Sequence, residues 1–93
     1  MGKPTYRFVC TKSFWREYEA LSPEKRSAAD EAFKVFKRDP FAGELKTHRI
    51  HRLTALHRRT VWSVTVLGNL KSLFTINGDT ITSISIGNHD VYK

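Results

Sequence analysis

The hydrophobic pattern of this chain changes period once, at Asp39-Pro40. Before that point apolar residues recur at helical spacing; after it they alternate. Phe14, Tyr18 and Leu21 stand at i, i+4 and i+7, on one helical face. Ala29, Ala32, Phe33 and Phe36 form the apolar stripe of a second helix. Beyond Pro40, Val61–Leu67 and Leu70–Ile76 read with period two. A single switch of this kind segregates helices from strands, which is the α+β class.

The punctuation sets the element order. Thr5–Cys10 is short, β-branched and aromatic, and predicts a first strand. Thr11 or Ser13 can cap the first helix. Ser22-Pro23 starts the second, with Ser at the N-cap and Pro at the first helical position, where its missing N–H costs nothing. Asp39-Pro40 ends it, because the residue before proline avoids the helical region. Leu45–Leu53 predicts a strand, then Val61–Leu67, a Gly68-Asn69 turn and Leu70–Ile76. Asn77-Gly78 supplies the positive-φ pair of a tight hairpin, and Thr80–Ile86 completes it. The expected order is β-α-α-β-β-β-β: an antiparallel sheet of four to five strands, with an N-terminal helical hairpin packed on one face.

Ninety-three residues suffice for one domain, 1–93. A chain of this size buries about 60–65% of its unfolded surface. No apolar run approaches the ~20 residues of a membrane span, and no signal-type apolar segment follows Met1-Gly2-Lys3-Pro4. Cys10 is alone, which excludes an internal disulfide and a cysteine-rich zinc site. These features point to a cytoplasmic protein with no membrane partner.

The charge is uneven. The net charge is +7, yet between Glu44 and Asp79 there is no acidic residue at all. Lys46, Arg49, Arg52, Arg58, Arg59 and Lys71 all fall in that stretch, as do His48, His51 and His57. A field of one sign favours a polyanion such as nucleic acid, or an acidic protein. On the strands, Trp62, Val64 and Val66 share one face, and Val61, Ser63, Thr65 and Leu67 the other. Lys71, Leu73 and Thr75 alternate with Leu70, Ser72, Phe74 and Ile76. Helices on one face leave the other free, and the basic residues gather on the strand half. His48 and His51 are three apart, on opposite faces of a strand, which argues against a shared metal.

Several segments together resemble the RelE/ParE superfamily of bacterial type II toxins. They are Thr11-Lys12-Ser13-Phe14, Leu45-Lys46-Thr47-His48-Arg49-Ile50, Val61-Trp62-Ser63-Val64, Asn69-Leu70-Lys71-Ser72-Leu73-Phe74 and Ile86-Gly87-Asn88-His89-Asp90-Val91-Tyr92. Their order fits from Tyr6 to Tyr92. The ending resembles the Gly-x-His terminus of YafQ-type mRNA interferases. The resemblance implies a toxin held inactive by a cognate acidic antitoxin. It also implies a ribosome-dependent endoribonuclease that cuts mRNA with no metal or cofactor.

Metal-free RNA cleavage turns the 2′-OH onto the adjacent phosphate and needs a base, an acid and cations near the developing charge. Histidine serves as acid or base, since its ordinary pKa of ~6.5 lies near cellular pH. On that chemistry and the resemblance, His89, His48, Lys46, Lys71 and Tyr92 are the catalytic candidates. Arg49, Arg52, Arg58 and Arg59 are the RNA- and phosphate-binding ones. The chain departs from the family at Thr65, where many relatives carry arginine, and at Lys71, where they carry a second one. Val66 and Asn69 stand near where the YafQ branch has a His and an Asp. The alternatives are a ParE-like inhibitor of DNA gyrase and a basic nucleic-acid-binding module without catalysis.

Overall fold

A computed structural model describes residues 5–50 and 59–88. The elements are β1 (Arg7–Cys10), α1 (Lys12–Glu19), α2 (Pro23–Arg38), a 3-10 turn (Gly43–Leu45), β2 (His48–Arg49), β3 (Val61–Leu67), β4 (Leu70–Asn77) and β5 (Thr80–Asn88). Thr11 rather than Ser13 caps α1: its Oγ1 accepts the Phe14 N–H at 3.0 Å. The same hydroxyl donates to the Ile84 carbonyl at 3.4 Å, so the cap also fastens α1 to β5. Ser22 caps α2 by accepting from the Lys25 N–H, with Pro23 inside the first turn. Lys37 and Arg38 lie in the last turn, where cations suit the helix dipole.

The five strands lie in the order β1-β5-β4-β3-β2. Three of the pairings are antiparallel, but β1 runs parallel to β5, from Arg7 opposite Thr80 to Cys10 opposite Ser83. The sheet is therefore mixed. The long connection from β1 to β5, through the helical hairpin and the β2–β4 meander, allows this pairing, since parallel neighbours need a crossover. Asn77-Gly78-Asp79 makes the β4–β5 hairpin, with Gly78 at φ +62°.

The helical stripes land on Trp62, Val64, Val66, Leu70, Phe74, Ile81 and Ile86. Phe36 meets Phe74 edge-on at 4.9 Å, and Phe14 meets Phe33 edge-on at 5.4 Å. One cluster gathers on Phe36, Leu45, Val64, Phe74 and Ile81, and another on Phe14, Ala29, Leu70 and Ile86. Each fully buried Phe, Leu or Ile contributes about 1.5–3 kcal/mol relative to exposure.

Because β1 ends at Cys10, the second half of β5 has no strand on that side among the described residues. Glu17 takes its place. Its Oε1 accepts the Ser85 hydroxyl at 2.9 Å and the Ile86 N–H at 3.4 Å. A backbone donor that would otherwise lack a ladder partner is thus satisfied from α1.

Two further expectations change. The strand over Leu45–Leu53 is reduced to His48–Arg49 among the described residues. Leu45 closes a 3-10 turn and buries its side chain against Phe36 and Val64, and Lys46 follows in the left-handed region. The face opposite the helices is also not open throughout, since Val61, Ser63 and Leu73 are buried. Alternation assigns a residue to a face but says nothing of whether that face is covered.

Candidate functional site

β2 is short and lies at the sheet edge, and everything around it serves to hold it there. Thr47 Oγ1 donates to the Pro40 carbonyl at 2.6 Å, which ties the segment before β2 to the exit of α2. Pro40 itself is buried. Lys46 sits at φ 49°, ψ 43°, with its N–H bonded to the Gly43 carbonyl at 3.1 Å. For a residue with a Cβ this conformation costs on the order of 1–2 kcal/mol. It turns the Lys46 carbonyl toward the next ring but one.

That ring is His48, whose Nδ1 lies 3.1 Å from the Lys46 carbonyl oxygen. A carbonyl only accepts, so Nδ1–H donates, and the neutral ring carries its free lone pair on Nε2. His48 is exposed. It is thus an exposed imidazole tied to the backbone through Nδ1.

In register, His48 pairs with Ser63 and Arg49 with Trp62. His48 therefore shares the Ser63, Thr65, Lys71 and Leu73 face, while Arg49 lies on the helix-side face beside Trp62. Lys71 stands opposite Thr65 on β4, and its Nζ donates to Thr65 Oγ1 at 2.8 Å. On the far side Lys71 pairs with Gly87, which adds no side chain. From strand spacing and rise, the Cα atoms of His48 and Lys71 are about 12 Å apart along the diagonal. Ser63, beside His48 in the ladder, is fully buried, so the accessible ground next to Lys71 is at the half-buried Thr65.

Of the residues singled out in the sequence, the fold brings His48 and Lys71 onto one face. Lys46 is exposed two residues before His48, at the same end of the sheet. Arg49 lies across the sheet edge from them, and Arg59 is exposed just before β3. Arg52, Arg58, His89 and Tyr92, with His51 and His57, lie outside the described residues. Two contributors were not singled out. Thr47 anchors the Lys46–His48 segment, and Thr65, noted in the sequence only as a departure, is the partner of Lys71. The alternation of β3 and β4 would have placed Thr65 and Lys71 side by side had the register been known.

Ser63 adds a polar group of another kind. Its hydroxyl is fully buried beside His48 in the ladder and has no hydrogen-bond partner among the described residues. Among the described residues no three of His, Cys, Asp and Glu gather in a way that could hold a metal ion.

No family model matches the chain, and no curated protein matches it either. Solved structures do. The chain superposes on a chain of the archaeal RelE–RelB complex of Pyrococcus horikoshii with a TM-score of 0.70 at 12% identity, covering 94% of this chain and 98% of that one. A YoeB/ParE toxin from Agrobacterium tumefaciens gives 0.68 at 20% identity, covering 89% and 98%. A chain of the RelB–RelE antitoxin–toxin complex of Methanococcus jannaschii gives 0.69 at 14% identity, covering 88% and 91%. The chain thus shares the fold of these solved toxin and toxin–antitoxin structures.

Proposed function

We propose that this chain is the toxin of a toxin–antitoxin pair, and that it acts as a metal-independent, ribosome-dependent endoribonuclease on mRNA. The observation that carries the reading is the His48–Lys71 face. It combines an exposed imidazole, tied to the backbone through Nδ1, with an ammonium, in a stretch of sequence that contains no acid. The toxin part rests on fold likeness to chains from RelE–RelB complexes and to YoeB/ParE. The two complexes also support an antitoxin as partner, and the +7 charge favours an acidic one.

The step itself balances without a cofactor. Nε2 of His48 takes the proton of the 2′-OH, the oxygen attacks the adjacent phosphorus, and the 5′ oxygen leaves with a proton. The products are a 2′,3′-cyclic phosphate and a 5′-OH. His89 is the acid, or exchanges that role with His48, in line with the Gly-x-His resemblance. Lys71 and Lys46 stabilise the charge that grows on the non-bridging oxygens. Tyr92 stacks on a base or donates to phosphate. Arg49, Arg52, Arg58 and Arg59 hold mRNA or ribosomal RNA. The site of action is the cytoplasm, where translating ribosomes are.

Induction of the chain in a bacterial host tests this reading. The expected result is arrest of translation, with mRNA cut on ribosomes and plasmid supercoiling unchanged. Loss of supercoiling with intact mRNA would assign the fold to a gyrase inhibitor instead. The Thr65–Lys71 bond favours a second reading, a basic RNA-binding module without catalysis, because it occupies one donor of the site's ammonium. Retention of mRNA on the protein without cleavage would select it.

A further inference from the structure

Away from the His48–Lys71 face, the molecule has a cleft of about 440 Å³ at the other end of its aromatic band. It lies between the start of β1 and the exit of α2, and is lined chiefly by Tyr6, Phe8, Lys37, Arg38, Pro40 and Phe41. Phe41 is 44% exposed, a large fraction for a phenyl ring. It is also held firmly. Its N–H donates to Asp39 Oδ1 at 3.0 Å, its ring meets Trp62 edge-on at 5.1 Å, and the preceding carbonyl receives the Thr47 hydroxyl. Tyr6 is fixed on the opposite wall, edge-on to Phe8 at 6.3 Å.

We propose that this cleft binds a base of single-stranded RNA, stacked on Phe41, with the flanking phosphates held by Lys37 and Arg38. The choice of RNA rests on the nuclease reading above; the choice of a base and its orientation rest on the cleft. Its floor is unsuited to an anion, because α2 ends there with its carbonyls. A neutral flat ring meets no such penalty. The two cations are exposed on the outside of the same turn, where a phosphodiester on either side of an inserted base would pass. Fixed aromatic faces beside free cations are the means by which proteins take single strands without reading sequence. Thr47, bonded to the Pro40 carbonyl, links this cleft to the segment carrying Lys46 and His48. A strand cut on one face is therefore gripped by the same loop on the other.

The test uses the full chain carrying His48→Gln and Lys71→Gln, which leaves the cleft untouched and removes the proposed chemistry. The probe is a pentauridine with 2-aminopurine riboside at its centre, titrated at fixed salt. The expected result is binding with quenched fluorescence. Phe41→Leu should weaken binding about tenfold or more and abolish quenching, and Phe41→Trp should keep both. The double substitution Lys37→Gln, Arg38→Gln leaves the ring packing in place and should flatten the salt dependence of binding. Unchanged affinity and quenching in Phe41→Leu would overturn the proposal. So would competition by polyglutamate as effective as that by unlabelled pentauridine, which would reduce the cleft to a patch of charge. Because the His48 and Lys71 substitutions are already present, these outcomes are independent of whether the parent chain cuts RNA.

Discussion

Lys71 Nζ donates to Thr65 Oγ1 at 2.8 Å, across the antiparallel pair of β4 and β3. The bond ties a long, flexible side chain to the neighbouring strand, on the sheet face that His48 shares.

On that account Lys71 acts by charge and Thr65 by placement. Lys71→Ala should lower mRNA cleavage by about 10- to 1000-fold, and Lys71→Arg should restore most of it. Thr65→Val keeps the strand and removes the acceptor. Cleavage should fall by a smaller factor, with stability changed by no more than about 1 kcal/mol. Rates on ribosome-bound mRNA and urea melts of the same variants check both. Full cleavage by Lys71→Ala would put this face outside the site.

The buried hydroxyl of Ser63 gives a stability prediction of opposite sign. It has no hydrogen-bond partner among the described residues, so removing it forfeits no bond and relieves an uncompensated desolvation. Ser63→Ala should leave the urea midpoint unchanged or raise it, by up to about 1–2 kcal/mol in stability. A clear fall would mean that the hydroxyl has a partner in the working protein.

Glu17 should matter to the fold and not to the chemistry. Its carboxylate accepts from the Ser85 hydroxyl and the Ile86 N–H, where β1 no longer covers β5. Glu17→Ala should cost about 1–3 kcal/mol, with hydrogen exchange quickened at Ile86 first. Glu17→Gln retains an acceptor oxygen and should cost less. Exchange at Ile86 as slow in Glu17→Ala as in the parent would contradict the role.

Burial pushes the Cys10 thiol up from its ordinary value, against smaller opposing effects of the Ser83 hydrogen bond and the nearby Lys37 charge. The folded thiol therefore ionises at higher pH than the unfolded one. Its contribution to stability is intact below the ordinary cysteine value near 9.0 and is lost as pH rises from there through the raised one. Cys10→Ala should accordingly show a shallower loss of stability between pH 8 and pH 10, conditions chosen to bracket that value. Denaturant midpoints across the interval measure it. Equal slopes in the two proteins would count against the shift.

The sequence revealed the elements better than their arrangement. Ser22-Pro23, Asp39-Pro40 and Asn77-Gly78 carry their own local chemistry, so α2 and the β4–β5 hairpin were legible to within a residue or two. The parallel pairing of β1 with β5 was not, since nothing in Arg7–Cys10 or Thr80–Asn88 says which strands are neighbours. Leu45 looked like the start of a strand because it is apolar, but it is drawn under Phe36 as the plug of a 3-10 turn. In the candidate site, His48 and Lys71 were identifiable by residue type, but only the β3–β4 register puts Lys71 beside Thr65. That Arg49 falls on the other face from His48 follows only from the exact extent of β2. The tautomer of His48 depends on the left-handed turn at Lys46, which no local signal announces.

The most direct test of the account is the chemistry of the ends left on ribosome-bound mRNA. Purified chain is added to translating ribosomes, and the upstream fragment is mapped and treated with a phosphatase that needs an opened cyclic phosphate. The account predicts a 2′,3′-cyclic phosphate upstream and a 5′-OH downstream, both lost with His48→Ala or Lys71→Ala while the proteins remain folded. Fragments ending in 3′-OH, or mRNA left whole by a folded chain, would contradict it.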